Sequence, residues 1–406
     1  SLAFASSVVV LTGLVGAFHL PVVLLVVAGV QFFGGRAPTP RSWRQLVDEL
    51  QAGRAFDPVV AACVLLLGVA FAIVAMNQLR FTTQDADSMW YHLVMPAEWV
   101  RTGSVWPSDA VPLLARAYPG FRQAVVALLS LPMRTEHLAL LGLVEFPLLA
   151  LASYVLARSF GASRRLAVAA ALAAATTPVV LGATTTQGND VMVAILVMAG
   201  AVFTPRMFAS GRIGDAALAG LALAGLAATK FSGPGYAALL VVLAAQQHGV
   251  FGVKSWRVHL ALASGVLLVA APWYLRNLRA FHNPLWPARI MVWRKLAGWG
   301  IAFDGPLDGS YFADRTLGWN VEPLLQNAHQ FVEAHGWFAP LLGVAWLGVV
   351  VRALLSRQSV YRAAVAALLS PLLFAMFLHH PFNMPSFDAA YSHRYLIAWA
   401  GVGFDD

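Results

Sequence analysis

Apolar runs of about twenty residues alternate with shorter polar segments along most of this chain. An α-helix needs ~20 apolar residues to cross a bilayer, and the runs lack the alternation of apolar and polar positions typical of a transmembrane β-barrel. The pattern therefore predicts an all-α polytopic membrane protein with roughly eleven transmembrane helices. The expected spans are 2–33 with a kink at Pro21, 58–79, 138–157, a run that ends near 182, 190–206, two short runs within 215–247, a run that ends near 272, 336–351, 363–378 and a closing run after 394.

Arginines cluster in short loops between these spans, and the positive-inside rule makes such loops cytoplasmic. The arginine-bearing loops are 34–57, 158–165, 206–212 and 352–362. The longer polar loops then lie on the external side, and the first of them bears juxtamembrane helices. Its segment 121–133 is apolar but too short to cross, so we expect a helix that lies on the membrane. The external loops are about 80–136, 276–336 and 379–394.

A Gly-Pro-Gly sequence interrupts the apolar stretch 215–247. Gly233, Pro234 and Gly235 break a helix, which predicts two short spans with Lys230 at the external turn between them. One continuous span would instead place every later loop on the opposite side of the membrane.

Composition supports the membrane assignment. Of the 406 residues, 11% are charged and 59% are hydrophobic, and the mean hydropathy is +0.69. Soluble domains carry roughly a quarter charged residues. The net charge of +8 fits a topology signal and contact with anionic membrane lipids rather than nucleic acid, because the arginines lie between the spans.

The segment Thr82–Pro107 concentrates the chemistry of the first external loop. Asp85 and Asp87 stand directly after a predicted span and are followed by Tyr91 and His92. A carboxylate in this position can take a proton from a nucleophile, or two can bind a divalent cation such as Mg or Mn through oxygen. The alternative is a solvated loop in which an aspartate caps the helix that begins near Ser88.

Polar residues from four later stretches fall on the same predicted side of the membrane. Each has a structural alternative: Asp190 caps a helix, Lys230 snorkels to the interface, and Arg276 anchors a span. Together with Arg394 they favour a site for an anionic, lipid-borne substrate, in which cations bind a phosphate and a carboxylate activates the acceptor. Glu145 lies near the middle of a span, where an ionisable group is costly, and the sequence assigns it no role.

At these residues the chain resembles the GT-C superfamily of integral membrane glycosyltransferases. It is most similar to the branch that contains protein O-mannosyltransferases and the bacterial lipid A aminoarabinose transferase. The similarity covers most of the chain from about residue 58 onward. The motifs that carry it are Asp87–Leu93 with Trp99 and Thr102–Ser104, Thr184–Asp190, Gly225–Lys230, Pro272–Asn277 with His282–Pro287, and His393–Leu396.

The resemblance implies transfer of a sugar from a polyprenyl-phosphate donor to a hydroxyl of a glycan, lipid or protein acceptor, with inversion. Asp87 would be the base, or Asp85 and Asp87 would bind a divalent cation. Lys230, Arg276 and Arg394 would hold the leaving phosphate, and Asp190 would orient Lys230 or the acceptor. Tyr91 and His92 would contact the substrate. The protein would lie in the plasma (inner) membrane with its active site on the extracytoplasmic side.

Two features depart from the family pattern. Residues 1–57 form an extra N-terminal span and an amphipathic cytoplasmic loop ahead of the GT-C-like module at 58–406, and the acidic motif is Asp-Ala-Asp rather than an adjacent acidic pair. The chain begins without Met and ends at Asp406 within a new apolar run, so we expect both ends to be clipped.

Two other classes of function fit part of the pattern. A transporter or flippase of lipid-linked sugars places coupling charges near the midplane on broken helices, for which Glu145 and the short spans around Lys230 are the candidates. A non-catalytic scaffold predicts that substitution of Asp87 or Lys230 changes stability alone. The gathering of charges at span ends and the long external loops favour an enzyme.

Overall fold

Long apolar helices make up most of the part of the chain that the structure describes. The computed structural model describes residues 2–25, 57–80, 88–111, 115–131, 140–248, 255–286, 290–292 and 301–303. The helices are α1 (Leu2–Leu14), α2 (Pro58–Arg80), α3 (Val94–Thr102), α4 (Phe121–Ser130), α5 (Leu141–Ser159), α6 (Arg164–Thr176), α7 (Pro178–Thr185), α8 (Asp190–Ser210), α9 (Ile213–Ala227), α10 (Gly233–His248), α11 (Trp256–Gly265) and α12 (Ala271–Phe281). Shorter elements are π-helical turns at Ser88–His92 and Val266–Ala270, a 3-10 turn at Ala115–Ala117, and the antiparallel strands β1 (Ile290–Val292) and β2 (Ile301–Phe303).

Four helices within the described ranges are long and apolar enough to cross a membrane. They are α2, α5, α8 and the continuous helix Trp256–Phe281, which α11, a π-helical turn and α12 form together. Their 19 to 26 residues correspond to lengths of roughly 28 to 39 Å at the rise of an α-helix. The prediction of a helical membrane protein is thereby confirmed, whereas the count of eleven spans stays a prediction.

The core of the bundle forms around α8, which packs against α5, α9 and α10. Val193 and Met198 of α8 lie in one apolar cluster with Leu149, Leu223 and Leu243. A second cluster joins α1, α3, α4 and α12 through Val9, Trp99, Phe121 and Trp273. Helices α3 and α4, which the sequence predicts to belong to an external loop, are therefore part of the protein interior.

The prediction that 2–33 is one kinked span is wrong. Helix α1 ends at Leu14, Gly16 takes the left-handed conformation with φ 72°, and helical residues resume at 20. The turn is held from outside: Phe18 N–H donates to the Gly103 carbonyl at 2.9 Å and Val105 N–H donates to the Gly13 carbonyl at 3.2 Å. Because Pro21 lies in the first turn of the second helix, its missing N–H disrupts nothing there.

The expected membrane-surface helix at 121–133 is present as the short helix α4, but its predicted position on the membrane surface is wrong. The side chains from Phe121 to Ala127 are all buried, and α4 packs against α1 and α3. The Arg122 guanidinium and the Gln123 NH₂ group donate to partners inside the bundle, as buried donors generally do.

The break predicted at the Gly-Pro-Gly sequence is confirmed. Helix α9 ends at Ala227 and α10 begins at Gly233, so Lys230 lies in the turn between two short helices. The run predicted to end near 182 is also two helices, because Thr177 is extended and Pro178 begins α7. A residue that precedes proline is disfavoured in the helical conformation.

Several polar contacts link the ends of these helices. At one end of α2, Asp57 accepts from the Nε of Arg165 at 2.6 Å. Towards the other end, Gln78 Nε2 donates to the carbonyl of Thr184. The starts of α2 and α6 therefore lie together, as expected for two cytoplasmic loops, and the end of α7 lies near the end of α2.

Several sequence predictions concern positions outside the described residues. They are Asp85, Asp87, Arg394, the loop 34–56 and the spans 336–351, 363–378 and the closing run after 394.

Candidate functional site

The first turn of α4 is the meeting point of the polar groups at one end of the bundle. Phe121 N–H donates to the carbonyl of Ala228 at 2.9 Å, which joins α4 to the turn after α9. The preceding Gly120 is required by close approach: a Cβ there would lie 2.5 Å from the Trp99 ring and 2.9 Å from the Trp273 ring. The chain therefore enters α4 between two buried indoles.

Asp190 and Lys230 form an ion pair at this end of the bundle. The distance from Lys230 Nζ to Asp190 Oδ1 is 2.8 Å, and the Asp190 side chain is 7% exposed whereas that of Lys230 is 27% exposed. Asp190 is the first residue of α8, where the helix dipole stabilises a negative charge. The resemblance implies that Asp190 orients Lys230 or the acceptor; the structure pairs the two side chains, and the Lys230 side chain is partly exposed.

Gln123 links His92 to the start of α8. Its Nε2 donates to Asn189 Oδ1 at 3.0 Å and lies in hydrogen-bond contact with His92 Nδ1. Asn189 Nδ2 in turn donates to the carbonyl of Thr229 at 3.0 Å. This chain of buried groups connects the first external loop, α4, α8 and the turn that carries Lys230.

A second buried network explains Glu145. Both carboxylate oxygens of Glu145 accept from Arg122, at 2.7 and 2.9 Å, and the two side chains are 1% and 0% exposed. Arg122 also donates to the main-chain carbonyl of Gln187 at 2.7 Å. Gln187 N–H donates to Ser88 Oγ at 2.8 Å, so the residue that follows Asp87 in the chain is fixed beside the start of α8.

An aromatic wall lies next to the Asp190–Lys230 pair. The Tyr91 ring lies 4.1 Å from the His92 ring and 5.3 Å from the Tyr118 ring, and Tyr118 lies 5.3 Å from Phe231. Aromatic faces suit the C–H-rich surface of a sugar, and the wall ends at the neighbour of Lys230. The rings of Tyr91, Tyr118 and Phe231 pack edge to face and place aromatic side chains beside the turn that carries Lys230.

Arg276 is buried and holds α12 against the segment 105–118. Its guanidinium donates to the carbonyls of Val105, Arg116 and Tyr118 at 3.0 to 3.3 Å, and it lies 5.0 Å from the Trp273 ring centroid. These contacts tie α12 to the first external loop directly behind the aromatic wall. The predicted contact of Arg276 with a phosphate stays a prediction. The residue is only 1% exposed.

The structure brings together the predicted site residues that it describes. His92 is linked through Gln123 to Asn189 and Thr229, the chain neighbours of the Asp190–Lys230 pair, and Arg276 donates to the carbonyl of Tyr118, whose ring contacts Tyr91. Asp85, Asp87 and Arg394 lie outside the described residues, where the predicted base, metal and third cation also lie. Within the described ranges no group of three His, Cys, Asp or Glu side chains is positioned to hold a metal ion.

No family model, curated protein or solved structure matches this chain. The interpretation of the site therefore depends on the chemistry and geometry of its own residues.

The sequence interpretation missed Arg122, Gln123, Gln187 and Asn189. One signal was present: Arg122 and Glu145 are each an isolated charge in an apolar run, and buried charges are generally paired. The three amide side chains carry no comparable signal, because an uncharged amide is common in any polar loop.

The end of α3 is held by a carboxylate that accepts from two side chains. Glu98 accepts from Arg101 at 2.7 and 2.8 Å and from Ser108 Oγ at 2.8 Å. The Arg101 guanidinium lowers the pKa of Glu98 below its ordinary value of 4.5, and Ser108 adds to this effect against the opposing influence of burial.

We expect Glu98→Gln to lower the free energy of unfolding at pH 7. The difference from the wild type should decrease as the pH falls. Because the folded-state pKa is below 4.5, the ionised carboxylate stabilises the fold above that pH, and the contribution disappears as pH falls through the folded value. The size is below about 1 kcal/mol, since Arg101 is largely exposed and solvent screens the pair. Thermal unfolding of both proteins in detergent between pH 7 and 3 measures it. A difference that stays constant with pH would contradict the assignment.

Proposed function

We propose that this chain is a membrane glycosyltransferase of the GT-C type. It transfers a sugar from a polyprenyl-phosphate donor to an acceptor hydroxyl at the external face of the plasma membrane, with inversion at the anomeric carbon. The observation that carries the proposal is the Asp190–Lys230 ion pair of 2.8 Å beside the aromatic wall of Tyr91, Tyr118 and Phe231. We propose with it the topology of roughly eleven spans, with the long loops outside.

The proposed step needs a cation at the leaving group. As the bond from the anomeric carbon to the phosphate oxygen breaks, the polyprenyl phosphate gains negative charge, which a positioned ammonium stabilises. Lys230 is partly exposed, and Asp190 holds it in place at the helix start. Arg276 and Arg394 are the further cations proposed for this phosphate.

The step also needs a base for the acceptor. The acceptor oxygen forms the new bond to the anomeric carbon, and its proton passes to the Asp87 carboxylate. The fixed position of Ser88 against Gln187 supports this assignment, because Ser88 is the next residue in the chain. Alternatively Asp85 and Asp87 bind Mg or Mn, which would orient the acceptor.

The burial of Glu145 favours an enzyme over a transporter or flippase. A coupling charge must exchange partners with an ion or substrate during transport. Glu145 is 1% exposed at its side chain and is bonded through both oxygens to Arg122, itself bonded to Gln187. Such a closed pair suits a structural role, whereas the accessible charge of Lys230 lies at the helix ends.

The test is transfer of radiolabelled sugar in proteoliposomes that contain the full chain, a panel of polyprenyl-phosphate sugars and membrane acceptors. We expect Lys230→Met to lower the initial rate by about 10²-fold or more, the loss typical for removal of one group that stabilises charge in the transition state. Arg212→Met is the matched control, because Arg212 is an exposed cation at the start of α9, and it should transfer at the wild-type rate.

Other outcomes distinguish the rival functions. Movement of the donor across the vesicle membrane without transfer would replace the proposal with a flippase. If the wild-type protein neither transfers a sugar nor moves any donor, the non-catalytic scaffold is the function that remains. Equal rates in Lys230→Met and wild type would remove Lys230 from the site.

A further inference from the structure

A chain of hydrogen bonds runs from a main-chain carbonyl to the imidazole of His92. It begins at the carbonyl of Thr229, which accepts from Asn189 Nδ2 at 3.0 Å. Asn189 Oδ1 accepts from Gln123 Nε2 at 3.0 Å, and the same Nε2 contacts His92 Nδ1. The side chains of Gln123, Asn189 and His92 are at least nine-tenths buried.

The carbonyl fixes the direction of every bond in this chain. A carbonyl oxygen carries no hydrogen and can only accept. Asn189 must therefore turn its NH₂ group towards Thr229, which leaves its oxygen towards Gln123. Gln123 must then turn its own NH₂ group towards Asn189. Reversal of either amide would place two oxygens, or two NH₂ groups, against each other.

The same constraint determines whether Nδ1 of His92 carries a proton. The Gln123 NH₂ group has two hydrogens, one for Asn189 and one for His92. The nitrogen of His92 that it faces, Nδ1, must accept and so carries no proton. In a neutral imidazole the proton then lies on Nε2.

We infer that Gln123 is a positioning residue that holds His92 as the uncharged tautomer with its proton on Nε2. Burial of the ring acts in the same direction, because an apolar environment disfavours the imidazolium ion. Among the described residues on the elements around it, Arg122 pairs with Glu145 and Asp190 pairs with Lys230. The Tyr91 ring lies 4.1 Å from the imidazole and is tilted by 38° against it.

This inference deepens the proposed function and rests on it for its chemical meaning. Because Nδ1 is occupied by Gln123 and Nε2 carries the proton, His92 has no lone pair with which to take a proton from an acceptor. Its Nε2–H can only donate a hydrogen bond. The role of base is then left to a carboxylate, as proposed for Asp87.

The experiment is ¹⁵N spectroscopy of the full chain, labelled at histidine nitrogens and held in detergent micelles. Two-bond ¹H–¹⁵N spectra distinguish a protonated ring nitrogen from an unprotonated one, and the signal lost in His92→Gln identifies His92 among the 11 histidines. We expect Nδ1 to be unprotonated and Nε2 to be protonated at pH 7. A proton on Nδ1 in the wild type would overturn the inference without any further variant.

Gln123→Glu tests whether Gln123 sets the tautomer of His92. A carboxylate can only accept, so Nδ1 should gain a proton, and the midpoint of His92 titration should rise by about one unit or more. Ser130→Ala is the control on the same helix, since the Ser130 hydroxyl donates within α4 to the carbonyl of Val126, and it should leave the His92 signals unchanged. A folded Gln123→Glu protein with the wild-type tautomer would show that Gln123 does not set it.

The spectra do not depend on catalysis. If Nδ1 is unprotonated but no donor supports transfer, the inference stands and the proposed function fails. If transfer occurs but Nδ1 carries the proton, the inference fails and the proposed function stands.

Discussion

Glu145→Gln should lower the free energy of unfolding by about 3–5 kcal/mol, because removal of one partner from a buried ion pair leaves an uncompensated charge. Arg122 would remain with a 0% exposed side chain and would still donate to Gln187, but without a carboxylate. In a membrane interior such a charge has no access to water. Arg122→Met should be comparably destabilising, since it leaves the Glu145 carboxylate without its partner.

A double-mutant cycle separates the pair from the rest of the network. Arg122→Met with Glu145→Leu removes both charges and leaves an apolar contact, so its loss should be well below the sum of the single losses. Some loss should remain, because the carbonyl of Gln187 would lose its donor. Reversible unfolding in mixed detergent micelles, followed by intrinsic fluorescence, measures all three variants against wild type.

Asp109→Asn is the matched control for this prediction. Asp109 also pairs with an arginine, Arg116 at 2.6 Å, but its side chain is 98% exposed. An exposed pair contributes about 0–1 kcal/mol, so the control should unfold close to wild type. A Glu145→Gln protein as stable as this control would show that the Arg122–Glu145 pair does not stabilise the bundle.

The second large effect is expected at Asp87. If its carboxylate accepts the acceptor proton, Asp87→Asn should lower the transfer rate by about 10²- to 10⁴-fold, since an amide cannot take a proton at neutral pH. Insertion and unfolding temperature should stay near wild type. Asp109→Asn again serves as the control, because Asp109 lies in the same external segment, and it should transfer normally.

A chelator arm distinguishes the two proposed roles of the aspartates. Transfer that is lost with chelator and restored by Mg or Mn would assign Asp85 and Asp87 to a metal, and Asp85→Asn should then lose activity as well. Transfer that withstands the chelator but falls in Asp87→Asn would assign Asp87 as the base. Full transfer by a correctly inserted Asp87→Asn protein would contradict both roles for Asp87.

The sequence alone determined the class of the protein and the helix break at Gly233–Gly235. The length of an apolar run reports directly whether a helix can cross a bilayer, and the Gly-Pro-Gly sequence indicates a helix boundary, which the structure has at Gly233, the first residue of α10. These are properties that a residue and its chain neighbours determine together.

Tertiary structure decided which buried polar groups meet and which short helix enters the core. The sequence cannot distinguish a helix at the membrane surface from α4, because an apolar run of ten residues suits either place. It pairs neither Arg122 with Glu145 nor Gln123 with Asn189, which are 23 and 66 residues apart. The turn at Gly16 likewise depends on carbonyl and N–H groups at 103–105. In each case the partner belongs to an element that is distant in the sequence, so the local sequence pattern cannot predict it.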